Sequence, residues 1–320
     1  MFYDLVHSPD GIVSDVRATT RLLVDLLGLI EPREAWYQTS TCHGYDALFA
    51  RVHPSRVLAP SRLEVISGHP QRSPSRAADV PAYIDEVSLA QGARPLKTHA
   101  TVLTSSNVEE LREHLERVGV RHRIDPPSDD LGHERLWIGF TPDGGPAYRP
   151  DDDGGIRFEV IPTQCLALPE SVATGELDQV PPIDDGAMTR IVSRSYLIDD
   201  VDELLPLLET RLGWPADRVD GRPGARRASM AINFARSARF EFWEPGYDEE
   251  GSEFYSSWGA GTFATRIAVR NLGGKVQQLN DRGVGVRHLS LPGGAEEVVR
   301  VEMGTVPGFL FDFVEEDADV

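Results

Sequence analysis

Histidine and carboxylate side chains are the ones in this sequence whose spacing carries chemistry. His7 stands eight residues before Asp15, and His99 stands eight residues before Asn107. Asp15 and Asn107 each open a helix-like segment, so the two imidazoles share one place in a repeated pattern. Two acids also match, in Arg62-Leu-Glu64-Val-Ile66 and Arg157-Phe-Glu159-Val-Ile161. Imidazole and carboxylate are the common groups of general acid–base catalysis. Each has a structural reading as well. A histidine in an apolar run is commonly a hydrogen-bonded core residue, and an acid on a strand can face water. Other chemistries lack their residues. No GxxxxGK[ST], strand-linked GxGxxG or GxSxG motif occurs. Cys42 and Cys165 form no CxxC pair, so neither a thiolate zinc site nor a disulfide framework is expected.

The elements that must position these groups repeat four times. Helix-like segments run from Asp15 to Gly28, Asn107 to Gly119, Asp200 to Gly213 and Asn271 to Gly283. Each opens with a side chain that accepts from the first-turn amides and closes with the residue that takes a left-handed backbone most cheaply. Leucines and valines recur inside at three- and four-residue spacing. A short strand with one acid between apolar neighbours follows each helix. The four acids are Glu64, Glu159, Glu241 and Asp312, lying 49, 52, 41 and 41 residues after the caps. Period-2 alternation places each acid on the opposite strand face from its apolar neighbours. Further strand-like runs precede each helix and separate it from its acidic strand, so each unit reads strand, helix, three strands.

Two longer connections interrupt the repeat. Residues 67–96 hold a Pro/Ser/Arg-rich stretch and a predicted short helix near Pro81–Gln91. Residues 165–188, with Pro169 and Pro181-Pro182, mark the expected domain boundary. Residues 141–155 read as a hairpin loop with Asp143-Gly-Gly145, without the ligand pattern of a calcium loop.

At 320 residues the chain has room for two domains. Its net charge of −19 disfavours a nucleic-acid partner. No apolar run reaches membrane-spanning length. The N-terminus has no basic segment leading into an apolar one, so a cytoplasmic protein is expected. The expected partner is a small-molecule substrate, with a homodimer left open.

Four such βαβββ units, with Leu-Gly or Val-Gly helix ends and the R-[LF]-E-[VF] strand, resemble the vicinal oxygen chelate superfamily. Glyoxalase I, methylmalonyl-CoA epimerase, extradiol dioxygenases and bleomycin-resistance proteins belong to it. The resemblance covers modules 1–66 and 97–163 of an N-terminal domain (1–168), a linker (169–187), and modules 188–245 and 262–315 of a C-terminal domain (188–320). It implies an α+β fold in which the modules pair into two cup-shaped, mostly antiparallel sheets. It also implies one divalent metal ion (Zn, Ni, Co, Mn or Fe), held by His7, Glu64, His99 and Glu159. Glu159 or Glu64 would act as the base on an enolate- or enediolate-forming substrate, giving isomerase, epimerase or glyoxalase-type lyase chemistry. His122, Trp137 and Arg135 are candidate substrate contacts, with His133 and Arg135 at the cup mouth. In the second cup Val192 and Phe263 take the positions of His7 and His99. With Arg190, Arg194 and Arg266 nearby, Glu241 and Asp312 suggest an ion-paired, metal-free interior, or one that takes an anion. That counts against the alternative of an extradiol-type dioxygenase, which keeps its iron there. A drug-sequestering protein without catalysis is the other alternative.

Overall fold

Side-chain caps start all four predicted helices. Asp15 accepts from Ala18 N at 2.9 Å, Asn107 from Glu110 N at 3.1 Å, Asp200 from Asp202 N at 2.7 Å and Asn271 from Gly274 N at 2.8 Å. They open α1 (Val16–Leu27), α3 (Val108–Val118), α5 (Val201–Leu212) and α7 (Leu272–Asp281). Leu23 and Leu27, Leu111 and Leu115, Leu208 and Leu212, and Leu279 form their buried faces. The computed structural model describes residues 1–40, 44–69, 84–128, 131–141, 148–176, 183–292 and 297–316. Cys42, His43, Asp143-Gly-Gly145, Pro181-Pro182 and the first three residues of the predicted Pro81–Gln91 helix lie outside them. That helix is α2 (Ile84–Ala90); α4 (Ser171–Thr174) and α6 (Glu249–Trp258) are further short helices.

The strands build three sheets. In the first unit β1 (Leu5–Ser8) and β2 (Asp10–Ile12) precede α1, and β3 (Tyr37–Ser40), β4 (Tyr45–Ala50) and β5 (Leu63–Gly68) follow it. The second unit has β6 (Thr101–Ser105), then β7 (His122–Asp125), β8 (Arg135–Ile138) and β9 (Phe158–Pro162). The third has β10 (Met188–Leu197), β11 (Ala216–Arg222), β12 (Ala225–Met230) and β13 (Arg239–Trp243). The fourth has β14 (Gly261–Val269), β15 (Val286–Leu289), β16 (Val298–Val301) and β17 (Phe311–Glu315). The strand orders are β1-β6-β9-β8-β7, β2-β5-β4-β3 and β11-β12-β13-β10-β14-β17-β16-β15. Each unit's first strand lies parallel to its last, and first strands of paired units are antiparallel, β1 with β6 and β10 with β14.

Register repeats as closely as the caps do. Glu64 pairs with Asp10, Glu159 with Val102, Glu241 with Ser195 and Asp312 with Arg266. Each of those partners stands five residues before its helix cap. One feature breaks the symmetry. Pro9 has no amide hydrogen to give a ladder, and the first strand divides there, β1 joining one sheet and β2 the other. Arg194, 185 residues later, as Asp200 is after Asp15, holds the equivalent place in an unbroken β10.

The apolar side of all three sheets shares one core with the helices, drawn from both halves of the chain. The opposite faces form the cups. Over the second cup, α6 and the turn before it fill the space: Phe254 packs on Phe263 at 5.5 Å and Tyr247 on Trp243 at 5.1 Å. Its acids are paired. Arg300 grips Asp312 with two bonds of 2.7 and 2.9 Å, and Trp243 Nε1 donates to Glu241 at 2.9 Å. Over the first cup, Ile84 and Val87 of α2 cover only part of the face, against Tyr45, Ile66, Trp137 and Phe140. A cavity of about 160 Å³ remains.

Candidate active site

The uncovered part of the first cup gathers the repeated imidazoles and acids. His7 on β1, Glu64 on β5, Glu159 on β9 and His99, just before β6, all line the cavity. Their exposures are 4%, 3%, 7% and 6%, so neither acid sits on a solvated strand face. Arg135 and His133 line it as well. Trp137 lies beside it, edge-on to His99 at 6.0 Å, with its Nε1 donating to Asp125 at 3.1 Å. His122 stays outside, its Nδ1 3.0 Å from Val120 O. His288, its counterpart in the fourth unit, pairs with Glu297 at the surface.

Asp10 organises the group, and the candidate set did not include it. Its Oδ2 accepts from the His99 backbone N at 2.6 Å and lies 3.2 Å from His99 Nδ1, while Thr98 donates its hydroxyl to Oδ1. Glu64 Oε1 is 4.0 Å from the same Nδ1, and Glu159 Oε2 is 3.9 Å from Nε2. Ser8 donates to Glu64 Oε2 at 2.8 Å. The signal for Asp10 was its place, five residues before a cap and in register with Glu64.

Burial acts on the two imidazoles and the two glutamates. Burial alone would depress His99, but the Asp10 hydrogen bond and the charges of Glu64, Asp10 and Glu159 outweigh it and raise the imidazole to about 9. Burial raises Glu64, with Asp10 and Glu159 adding and His99 and Ser8 opposing. Burial likewise raises Glu159, against the pull of Arg135 and His99. His7 is pushed well below the usual range by burial, then by Arg62, Arg51 and His133, and is neutral.

No family model matches the chain, and no curated protein matches it. Solved structures do. A triple mutant of 4-hydroxymandelate synthase from Streptomyces coelicolor superposes with a TM-score of 0.55 at 13% identity, over 99% of this chain and 93% of that one. The fold is that of the vicinal oxygen chelate superfamily. Two further matches with this fold each span under half of the present chain. Methylmalonyl-CoA epimerase from Mycobacterium tuberculosis has a TM-score of 0.37 at 17% identity, over 44% of this chain and 95% of its own. Hypothetical protein BH1468 from Bacillus halodurans has 0.35 at 20% identity, over 41% and 96%.

A vicinal oxygen chelate cup commonly holds its metal among four such side chains, and their arrangement here is a poor match for one ion. Arg62 donates to His7 Nε2. A neutral imidazole has one lone pair, so that bond uses it and leaves the proton on Nδ1, which is buried without a partner. Glu64 comes nearest to Nδ1 of His99, which already faces Asp10, and Glu159 comes nearest to Nε2, so the two acids do not converge on one ring nitrogen. Among the described residues no three His, Cys, Asp or Glu side chains group closely enough to hold an ion. The arrangement suits proton transfer better: one imidazole fixed by Asp10, with a raised carboxyl on either side.

Proposed function

We propose that the chain is an enzyme of the vicinal oxygen chelate fold that transfers a proton at a carbon beside a carbonyl group. The observation that supports this is the burial of Glu64 and Glu159 on opposite sides of His99, at the wall of a small cavity. Residues 1–168 would form the catalytic half. Residues 188–320, joined through 169–187, would form the supporting half, since α6 fills their cup.

Glu159 is the base. Its carboxylate lines the cavity, and its raised affinity for protons brings it nearer neutral pH, where a general base works best. Glu64, held by Ser8 and raised to about 7 by burial, is a second proton-holding carboxyl beside His99. His99 carries its proton at neutral pH and is oriented through Nδ1 by Asp10. Its Nε2–H faces the cavity and donates to the substrate oxygen as negative charge develops there, the role of an oxyanion-hole donor. Glu159 Oε2 receives the carbon-bound proton and can return it to the neighbouring carbon, which gives isomerisation; epimerisation needs a proton delivered to the opposite face, for which Glu64 is the second carboxyl. Arg135 lies over the Trp137 ring at 5.7 Å and adds positive charge near the same oxygen.

The test is deuterium exchange in D2O on a panel of small ketones, aldehydes, 2-oxo acids and acyl thioesters. At least one member should gain deuterium beside its carbonyl. Glu159→Gln should slow that exchange by about 100-fold or more while melting near the parent temperature. Exchange unchanged in that variant would remove Glu159 from the mechanism. Elemental analysis of the same preparation bears on the metal. About one equivalent, lost with activity in a His99→Ala/Glu159→Ala double variant, would mean that the side chains rearrange around a Lewis-acid centre.

A further inference from the structure

Several guanidinium groups of this acidic chain are neutralised at short range, Arg300 by Asp312, Arg226 by Glu244 and Arg190 by Glu316, and the buried Arg194 donates to Thr265 and to the Asp10 carbonyl. Arg51, Arg56 and Arg62 are different. All three are partly buried, they lie close enough to repel one another, and none forms an ion pair among the described residues. Arg51 donates to Ala59 O at 3.4 Å, Arg56 donates to Leu166 O, and Arg62 donates to the neutral His7. The Nε atoms of Arg56 and Arg62 and the Nδ1 of His7 are buried without a hydrogen-bond partner. Clustered like charges with unspent donors cost free energy that Glu64 offsets only in part. A bound anion would offset it.

The cluster opens on the first cup. Arg62 lines the cavity with His7, His133 and Arg135, and Arg51 and Arg56 lie near Arg62 without lining it. The Glu64–His99–Glu159 group lines the same cavity. We propose that the first cup takes a small organic acid whose carboxylate seats on Arg62, between His133 and Arg135. The guanidinium fork matches a carboxylate with two parallel bonds. The cavity volume limits the acid to a few carbons. With one end fixed there, the carbon beside the carbonyl is turned toward Glu159. This names the substrate class of the proton-transfer reading and rests on it for the fate of the rest of the molecule.

Calorimetric titration of the full chain with malonate, inorganic phosphate and chloride, at fixed ionic strength, tests it. Malonate should saturate one site, and Arg62→Gln should weaken it by about tenfold or more. Glu159→Gln, which removes a negative charge from the cavity, should bind malonate at least as tightly as the parent. Should Arg62→Gln fail to fold, Arg51→Gln/Arg56→Gln, outside the cavity wall, should weaken malonate by several-fold through lost charge. Malonate affinity indifferent to these changes overturns the proposal, as does equal binding of all three anions. Phosphate bound in preference, with the same dependence on Arg62, overturns the carboxylate in favour of a phosphate ester. Arg62-dependent malonate binding without deuterium exchange on any acid removes the proton-transfer reading alone. Exchange on neutral ketones that ignores Arg62 removes the organic acid alone.

Discussion

His99 sits among three carboxylates, and Asp10 is the one that fixes it, by bonds to both backbone and ring. The folded state therefore holds the imidazole proton more tightly than the unfolded chain does, at about 9 against 6.5. The sign follows directly. This stability is fully present below pH 6.5 and is lost as pH rises through 9. Between those limits the melting temperature should fall by roughly 5 °C, from about 3 kcal/mol at about 1.4 kcal/mol per pH unit. Asp10→Asn keeps an acceptor for the backbone amide but removes the charge, so its decline should be shallower. A flat parent profile from pH 6.5 to 9, read by calorimetry, would show that His99 is not proton-loaded by its neighbours. The sequence made His7 and His99 visible by a shared eight-residue offset from a helix cap, and Glu64 and Glu159 by a shared strand pattern. Arg62 was visible only as a letter in the R-[LF]-E-[VF] strand. Its bond to His7, which takes the lone pair a metal would need, joins residues 55 apart, one on β1 and the other just before β5.

The helices and acidic strands repeat, and a repeat can be read without knowing any contact. Caps, left-handed terminal glycines and period-2 acids are local, and the structure has all of them. The coverings of the cups are not local. Whether α2 and α6 leave room depends on how Ile84 and Val87 on one side, and Phe254 and Tyr247 on the other, meet a distant sheet. The divided first strand is an intermediate case. Ser8-Pro9-Asp10-Gly11 announces a break, and the structure shows its use, carrying the chain between two sheets and aiming Asp10 at His99. Gly11 is held there by close approach. A Cβ built on it would stand 2.5 to 2.8 Å from three atoms of the Phe309 ring, which is itself buried. Gly11→Ala should therefore cost about 1–3 kcal/mol by overpacking. Because the displacement begins one residue from Asp10, it should also lower deuterium exchange. Parent-like stability of that variant would mean that β2 moves freely against the C-terminal half and does not hold Asp10 in place.

The two halves are bound through the core beneath the cups, so the filled second cup supports the open first one. Trp214, fully buried at the end of α5, packs on Tyr3 at 5.0 Å, on Phe158 of the second unit at 5.3 Å and on Phe240 of the third at 5.8 Å. Its Nε1 donates to Ala231 O at 2.7 Å. Tyr3 donates to Leu212 O at 2.9 Å, and Arg194 donates to Asp10 O at 3.0 Å, reaching the site itself. At the other end Lys275 of α7 donates to Leu27 O at 2.5 Å, satisfying a carbonyl at the C-terminus of α1. Sheets thus pair the first unit with the second and the third with the fourth. The core ring cluster and the α1–α7 contact tie the pairs together, the second unit to the third and the first to the fourth. Unfolding either pair would expose aromatic surface on the other, which predicts one cooperative transition for the whole chain. Trp214→Ala should lower the stability of that single transition by about 3–5 kcal/mol, with near-ultraviolet dichroism and malonate binding lost together on heating. Two resolved calorimetric peaks, with the substitution shifting only the one from the C-terminal half, would show that the cups stand separately. The first cup would then keep its site without the second.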